Sequence, residues 1–192
     1  MFQRALCRSG LELRYSQGYN PRIKVSVPLP RSVGVASEDE MICVSVVIDA
    51  STTGGDDLKD VINRELPVGC EVTSVDVAGT NAGFRAVRAV YEFDVDRSVR
   101  DSGLDGRVSR LSEDINAGGS LVVERHGGKG KSSRTLDVSG YVRSVEREGD
   151  KVVFVCEITP EGTIRVDEML GLLGIGMRDV RGEMRRRSVV WE

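Results

Sequence analysis

Two hydrophobic periods succeed one another in the second half of the chain, and their order restricts the fold more than any other feature. Val87, Ala89, Tyr91, Phe93 and Val95 alternate with Arg88, Glu92 and Asp94, the two-residue period of a half-buried strand. Leu104, Val108, Leu111 and Ile115 follow at steps of four, three and four, which puts one apolar stripe on a helix ending near Gly118-Gly119. Residues 120–125 then read as a strand, 141–148 and 151–158 as a hairpin turning at Gly149-Asp150, 166–173 as a short helix and 185–191 as a last strand. With one strand more than it needs, this is read as the strand, helix, strand, strand, helix, strand of the split βαβ, or ferredoxin-like, order.

The first half reads as a partial copy of the same order. Residues 23–28 and 41–49 have strand character, the second with Ile42, Val44, Val46 and Ile48 on one face. Leu58, Val61, Ile62 and Leu66 recur at helical spacing and Pro67 stops that helix, after which residues 70–78 read as a strand and 79–83 as a linker. Phe2, Ala5 and Leu6 before Gly10 read as the last turns of a helix that the chain enters already under way. The expectation is therefore an α+β protein of two tandem ferredoxin-like halves, residues 1–82 and 83–192. Each half has an antiparallel sheet with helices on one face, and the first lacks its opening strand. An unpaired edge left there would accept a second copy of the chain, giving a homodimer.

Charge and cysteine usage narrow the function classes. The net charge is -3 with 30% of residues charged, and residues 1–82 carry 8 Lys/Arg against 11 Asp/Glu while residues 83–192 carry 19 against 19. A basic surface must therefore be local. Cys7, Cys43, Cys70 and Cys156 lie far apart, and the single His126 has no ligand cluster around it. That spacing argues against zinc and against the three-cysteine motif of a radical SAM iron–sulfur cluster, so no cofactor is expected and the thiols are expected to be free and mostly buried. With no secretory leader and no apolar run of membrane length, the expected location is the cytoplasm and no membrane partner is expected.

The densest group of recognition-type side chains lies at residues 15–24. Gly18 and the Asn20-Pro21 pair stiffen a loop that carries the faces of Tyr15 and Tyr19, the amides and hydroxyl of Gln17, Asn20 and Ser16, and the charges of Arg22 and Lys24. That chemistry suits binding rather than bond-breaking; the competing reading is a tight turn whose polar groups satisfy their own backbone. A second, basic run holds His126, Lys129, Lys131 and Arg134 at a hairpin tip. Gly130-Lys131-Ser132 imitates the end of a phosphate-binding loop, but Arg125 stands where that loop needs glycine and an extended segment follows. His126 as a base finds one acid on its side of the strand, Glu124. Arg185 and Arg187 fall on one strand face and Arg186 on the other, the pattern of a charged edge strand.

The stretch Y-S-Q-G-Y-N-P at residues 15–21, with Pro28-Leu29-Pro30 and residues 33–38 after it and Phe2 to Leu11 before it, resembles the radical-SAM-linked family of bacterial proteins. K-G-K-S-S-R-T-L-D-V-S-G-Y at residues 129–141 resembles that family's second landmark, and Thr159 to Thr163 with Arg165 and Glu168 its third. Arg31-Ser32 departs from the pattern, because the family runs more directly from Pro30 to Val33. The resemblance implies a partner: such domains occur fused to, or encoded beside, cobalamin-type radical SAM proteins, often near ribonuclease E/G and ribosomal protein genes. It points to RNA or ribosome chemistry performed by that partner, with this chain as a non-catalytic RNA- or partner-binding accessory module. Two alternatives stand beside it. One is a metal-independent RNA-processing or RNA-modifying enzyme, with His126 or Tyr19 as base and Lys131 stabilising developing charge. The other is an adaptor that docks the 15–24 loop on the radical SAM protein.

Overall fold

Two buried phenylalanines, Phe93 and Phe154, stack with ring centroids 6.3 Å apart and mark the centre of the larger of two compact units. The structure is a computed structural model that describes residues 1–48, 53–79, 82–125 and 132–192. In chain order the elements are α1 (Phe2–Arg8), β1 (Val25–Ser26), β2 (Val35–Ser37), β3 (Cys43–Val44), α2 (Gly55–Asn63), β4 (Ala86–Val95), α3 (Arg97–Asp101), α4 (Leu104–Asn116), β5 (Val122–Arg125), β6 (Arg134–Asp137), β7 (Val142–Glu148), β8 (Lys151–Glu157), α5 (Val166–Leu172) and β9 (Val180–Trp191). The class is mixed α+β, with five α-helices and both antiparallel and mixed sheets among the described residues.

The larger unit comprises Arg85–Glu192 together with Leu29–Glu40. Its five-stranded sheet has the order β2-β9-β4-β8-β7, antiparallel throughout except for the parallel β2–β9 pair. One face of the sheet, carrying Phe93, Val95, Val145, Val152, Phe154, Cys156 and Met184, closes on Leu104, Val108 and Leu111 of α4 and on Met169 and Leu170 of α5. The helical stripe of the sequence is thus the buried face of α4, with Ile115 packed at its rim. The two-residue hairpin turns where expected, and Gly149 takes φ 61°, which glycine adopts without steric cost.

Arg185 to Arg187 are not on an edge. β9 begins at Val180, five residues earlier than its sequence pattern, and runs between β2 and β4. Arg185 and Arg187 do share a face, and both are paired, Arg185 with Glu38 and Arg187 with Glu148 at 2.8 Å. Arg186 points to the core side, 1% exposed, and holds the Leu29 carbonyl at 2.9 Å and the Glu40 carboxylate at 2.5 Å. The charges fasten residues 29–40 to β9 rather than repel neighbours.

The smaller unit comprises Met1–Pro28 and Met41–Phe84. Its strands are far shorter than the expected 23–28 and 41–49. β1 and β3 pair over two residues each, and the neighbouring chain is joined by single bridges, Leu13 to Val46 and Tyr15 to Ile23. Three segments nevertheless exchange main-chain bonds in turn: Arg14 N–H to Ser45 O at 2.9 Å, Ser45 N–H to Lys24 O at 3.0 Å and Lys24 N–H to Arg14 O at 2.8 Å. Residues 70–78, expected as a strand, pair with no strand among the described residues. The Asn63 amide takes the place of a partner strand, donating to Val72 O at 2.9 Å and accepting from Val72 N–H at 2.7 Å, and Gly55 lets the Val75 carbonyl come against the start of α2. The segment is extended because it lies along a helix.

Candidate functional site

The 15–24 hairpin is closed at its base by one serine. Ser16 donates its N–H to Arg22 O at 2.7 Å and accepts the Arg22 N–H on its hydroxyl at 3.0 Å, while Tyr15 bridges Ile23. The Ser16 N–H and its hydroxyl oxygen as acceptor are therefore engaged by the loop itself. Beyond this clasp Gly18 takes φ 136°, and the tip turns outward. Tyr19 is 101% exposed, and Gln17, Asn20, Arg22 and Lys24 are exposed as well. Among the described residues no side chain of these five has a hydrogen-bond or ion-pair partner. The loop is a presenting hairpin, with its recognition groups unspent.

Beside it runs an open groove of about 590 Å³, lined by Tyr15, Pro21, Arg22 and Ile23 of the hairpin and by Gln3, Arg4, Cys7 and Arg8 of α1. The helical period explains the second wall. Residues 3, 4, 7 and 8 stand one turn apart on one face of α1, while Ala5 and Leu6 on the opposite face are buried. Arg8 is committed to Glu65, with Nε at 2.8 Å from the carboxylate and a second bond at 2.9 Å to the Glu65 carbonyl, which fixes α1 against the end of α2. Arg4 and Arg22 have no side-chain partner among the described residues. Among the described residues no carboxylate lines the groove.

Charge along the chain reinforces this. Residues 1–28 hold five Lys/Arg (Arg4, Arg8, Arg14, Arg22, Lys24) against Glu12 alone, a balance of +4. Residues 41–84 hold two (Lys59, Arg64) against seven acids (Asp49, Asp56, Asp57, Asp60, Glu65, Glu71, Asp76), a balance of -5. A tally over residues 1–82 averages these away and hides the one signal that would have added α1 to the site.

The second expected region divides differently. His126, Lys129 and Lys131 lie outside the described residues. Arg134 opens β6, exposed, in register with Arg125 on β5. Glu124, the acid considered for His126, accepts from the Ser133 hydroxyl. Arg125 is 12% exposed on its side chain and grips Glu168 in a fork, Nε to Oε1 at 2.5 Å and a terminal nitrogen to Oε2 at 2.7 Å, with a third bond to Thr163 O at 3.0 Å. Burial pushes the Glu168 carboxyl up, and the Arg125 guanidinium together with the Arg165 N–H outweighs it, so the group sits below its ordinary range. This pair binds β5 to the turn before α5 and is fully used in doing so.

A second groove and one sheet face of the larger unit carry charges that are largely paired among the described residues. A groove of about 580 Å³ between α4 and β7 is lined by Asp105, Glu113 and Glu146, and Arg147, which also lines it, is taken by Asp105 at 3.3 Å and by the Gly149 and Asp150 carbonyls. The sheet face opposite the core presents Arg88, Glu92 and Glu157 in closed ion pairs, Arg88 to Glu157 at 3.0 Å and Lys151 to Glu92 at 2.5 Å. Among the described residues no group of three or more His, Cys, Asp and Glu could hold a metal ion, and no helix is long and apolar enough to cross a membrane.

The family model described as an uncharacterized protein conserved in bacteria, DUF2344, matches residues 1–170, which take in the groove, the hairpin and everything up to the middle of α5. The chain belongs to this family. The DUF2344 match covers both walls of the groove, so α1 and the 15–24 hairpin are parts of one family domain. No curated protein and no solved structure matches the chain.

Proposed function

We propose that this DUF2344 protein is a non-catalytic accessory module that binds RNA through the α1–hairpin groove and serves a radical SAM enzyme of the cobalamin-binding kind. One observation carries the RNA half: Arg4 and Arg22, both without a carboxylate partner among the described residues, line the same groove as Tyr15, beside a tip on which Tyr19 is wholly exposed. Unpaired guanidiniums hold phosphate oxygens in a two-pronged geometry, and an exposed ring offers any base a face to stack on. The amides of Gln17 and Asn20 are placed to read a base edge. The sequence landmarks at residues 15–21, 129–141 and 159–168 support the radical SAM half. The order β9-β4-β8-β7, with β8 between β4 and β7, supports reading the larger unit as a ferredoxin-like half.

Retention of total cellular RNA on a filter across a salt series tests the reading. RNA is held at low salt and released as salt rises, and Tyr19→Ala lowers affinity by about 1–3 kcal/mol. Salt-insensitive or absent retention, or variants Tyr19→Ala and Arg22→Ala that bind like the parent, would overturn it. A radical SAM protein that co-purifies only before nuclease treatment is bridged by RNA; one that stays afterwards is a direct partner.

A further inference from the structure

We infer that the groove takes a short single-stranded segment, with backbone phosphates on Arg4 and Arg22 and a base on Tyr15, and that it discriminates against duplex RNA. The inference rests on the RNA reading and deepens it. Arg4, Arg22, Tyr15 and the committed Arg8 line one groove of about 590 Å³, within the roughly 300–1,000 Å³ of sites built for small ligands. A duplex needs a different surface. Recognition of double-stranded RNA spreads phosphate contacts over about 16 base pairs, which requires cations along an extended face. Here five of the smaller unit's seven Lys/Arg lie in residues 1–28, at +4, and the rest of that unit, residues 41–84, is at -5. Asp56, Asp57, Asp60 and Glu71 are exposed on it, so a long rigid polyanion lying across this unit meets carboxylates once it leaves the groove. A flexible single strand can turn away from them. It also offers unpaired bases, the only form in which a base face reaches a tyrosine ring.

Fluorescence anisotropy with a labelled single-stranded RNA of about eight nucleotides, against a labelled duplex of about 16 base pairs, tests this in the full chain. Two phosphate contacts on a single strand give a slope of log affinity against log salt of about -1.4, at about -0.7 for each. Arg4→Ala and Arg22→Ala should each bring the slope to about -0.7, while Arg64→Ala, on the acidic segment, leaves it unchanged. The duplex should bind at least roughly tenfold more weakly at the same salt. Equal or tighter duplex binding, or an Arg4→Ala slope like the parent's, overturns the single-strand inference while the RNA reading stands. If neither probe binds, the RNA reading itself fails and takes this inference with it.

Discussion

The Arg186 guanidinium meets the Glu40 carboxylate at 2.5 Å from a position 1% exposed, and through this contact a strap of twelve residues, Leu29–Glu40, becomes part of the larger unit. The same side chain donates to Leu29 O, and Asp39 beside it accepts the Val189 N–H at 2.7 Å and the Trp191 indole N–H at 3.4 Å. Burial pushes the phenol of Tyr91, which faces Arg186 across the sheet, above its ordinary range, with the guanidinium opposing that shift. Removing one partner of a buried pair costs about 3–5 kcal/mol because a charge is left behind. The Glu40 side chain is 29% exposed, and Arg186 keeps a carbonyl acceptor, so Glu40→Ala should cost less, about 2 kcal/mol. Urea unfolding followed by the single tryptophan, Trp191, measures it, and an unmoved midpoint would show that the strap is held without this ion pair.

Two glycines should respond to alanine with opposite signs. A Cβ on Gly55 would overlap the Val75 carbonyl oxygen, a main-chain atom that cannot yield without moving the extended 70–78 segment off α2. The helix propensity gained, at most about 1 kcal/mol, does not offset that clash, so Gly55→Ala should lower stability by about 1–3 kcal/mol. Gly106 in α4 has nothing within 4 Å of a built Cβ, and there the propensity gain stands alone, raising stability by about 0.5–1 kcal/mol. Thermal melts of the two variants decide; a stabilising Gly55→Ala would mean that residues 70–78 are not seated on the helix.

Where sequence and structure agree, one period dominated a long element. Phe93 and Val95 on β4 and Leu104, Val108 and Leu111 on α4 face a shared core, so alternation and helical spacing each named the buried side correctly. Residues 70–78 show the limit. Their extended pattern is real, but the partner that satisfies the backbone is the Asn63 side chain, and a strand-like period does not say whether a strand or a helix lies alongside. The thiols illustrate another limit: Cys156 is buried as expected, yet Cys43 and Cys70 are half-exposed, and Cys7 is exposed because α1 turns its 3, 4, 7, 8 face outward. The hairpin half of the groove was legible as a cluster of recognition side chains. The α1 half was not, because Arg4 and Arg8 gain meaning only when the helix is laid beside Arg22.

Asp137 should make the β5–β6 region sensitive to acid. Its carboxylate accepts from the Ser120 hydroxyl at 2.6 Å, the Ser139 N–H at 2.9 Å and the Leu121 N–H at 3.1 Å, which together hold it well below its ordinary 3.8. A depressed carboxyl stabilises the folded state at pH values above its unfolded value and loses that contribution as pH falls below about 4. Asp137→Asn should therefore unfold more easily than the parent at neutral pH, and the two curves should converge as the pH is lowered towards 2. Parallel curves across that range would mean that the bonds to Asp137 survive its protonation.

Cys7 supplies a test of the site that does not depend on removing a charge. It lies exposed in the groove with Arg4 and Arg22, whereas Cys156 is buried and its thiol is pushed by that burial up to about 12. Because only the thiolate reacts, a neutral alkylating agent such as iodoacetamide should label Cys7 readily in the native protein and leave Cys156 untouched until the chain unfolds. A neutral reagent is required, since an anionic one would be drawn to the same arginines and report their field instead of access. A saturating single-stranded oligonucleotide of about eight nucleotides should then slow labelling of Cys7 about fivefold or more, with half-exposed Cys70, outside the groove, as the internal reference. Peptide mapping by mass spectrometry reads both rates in one sample. Undiminished labelling of Cys7 under conditions where anisotropy reports a bound oligonucleotide would place the RNA on some other surface.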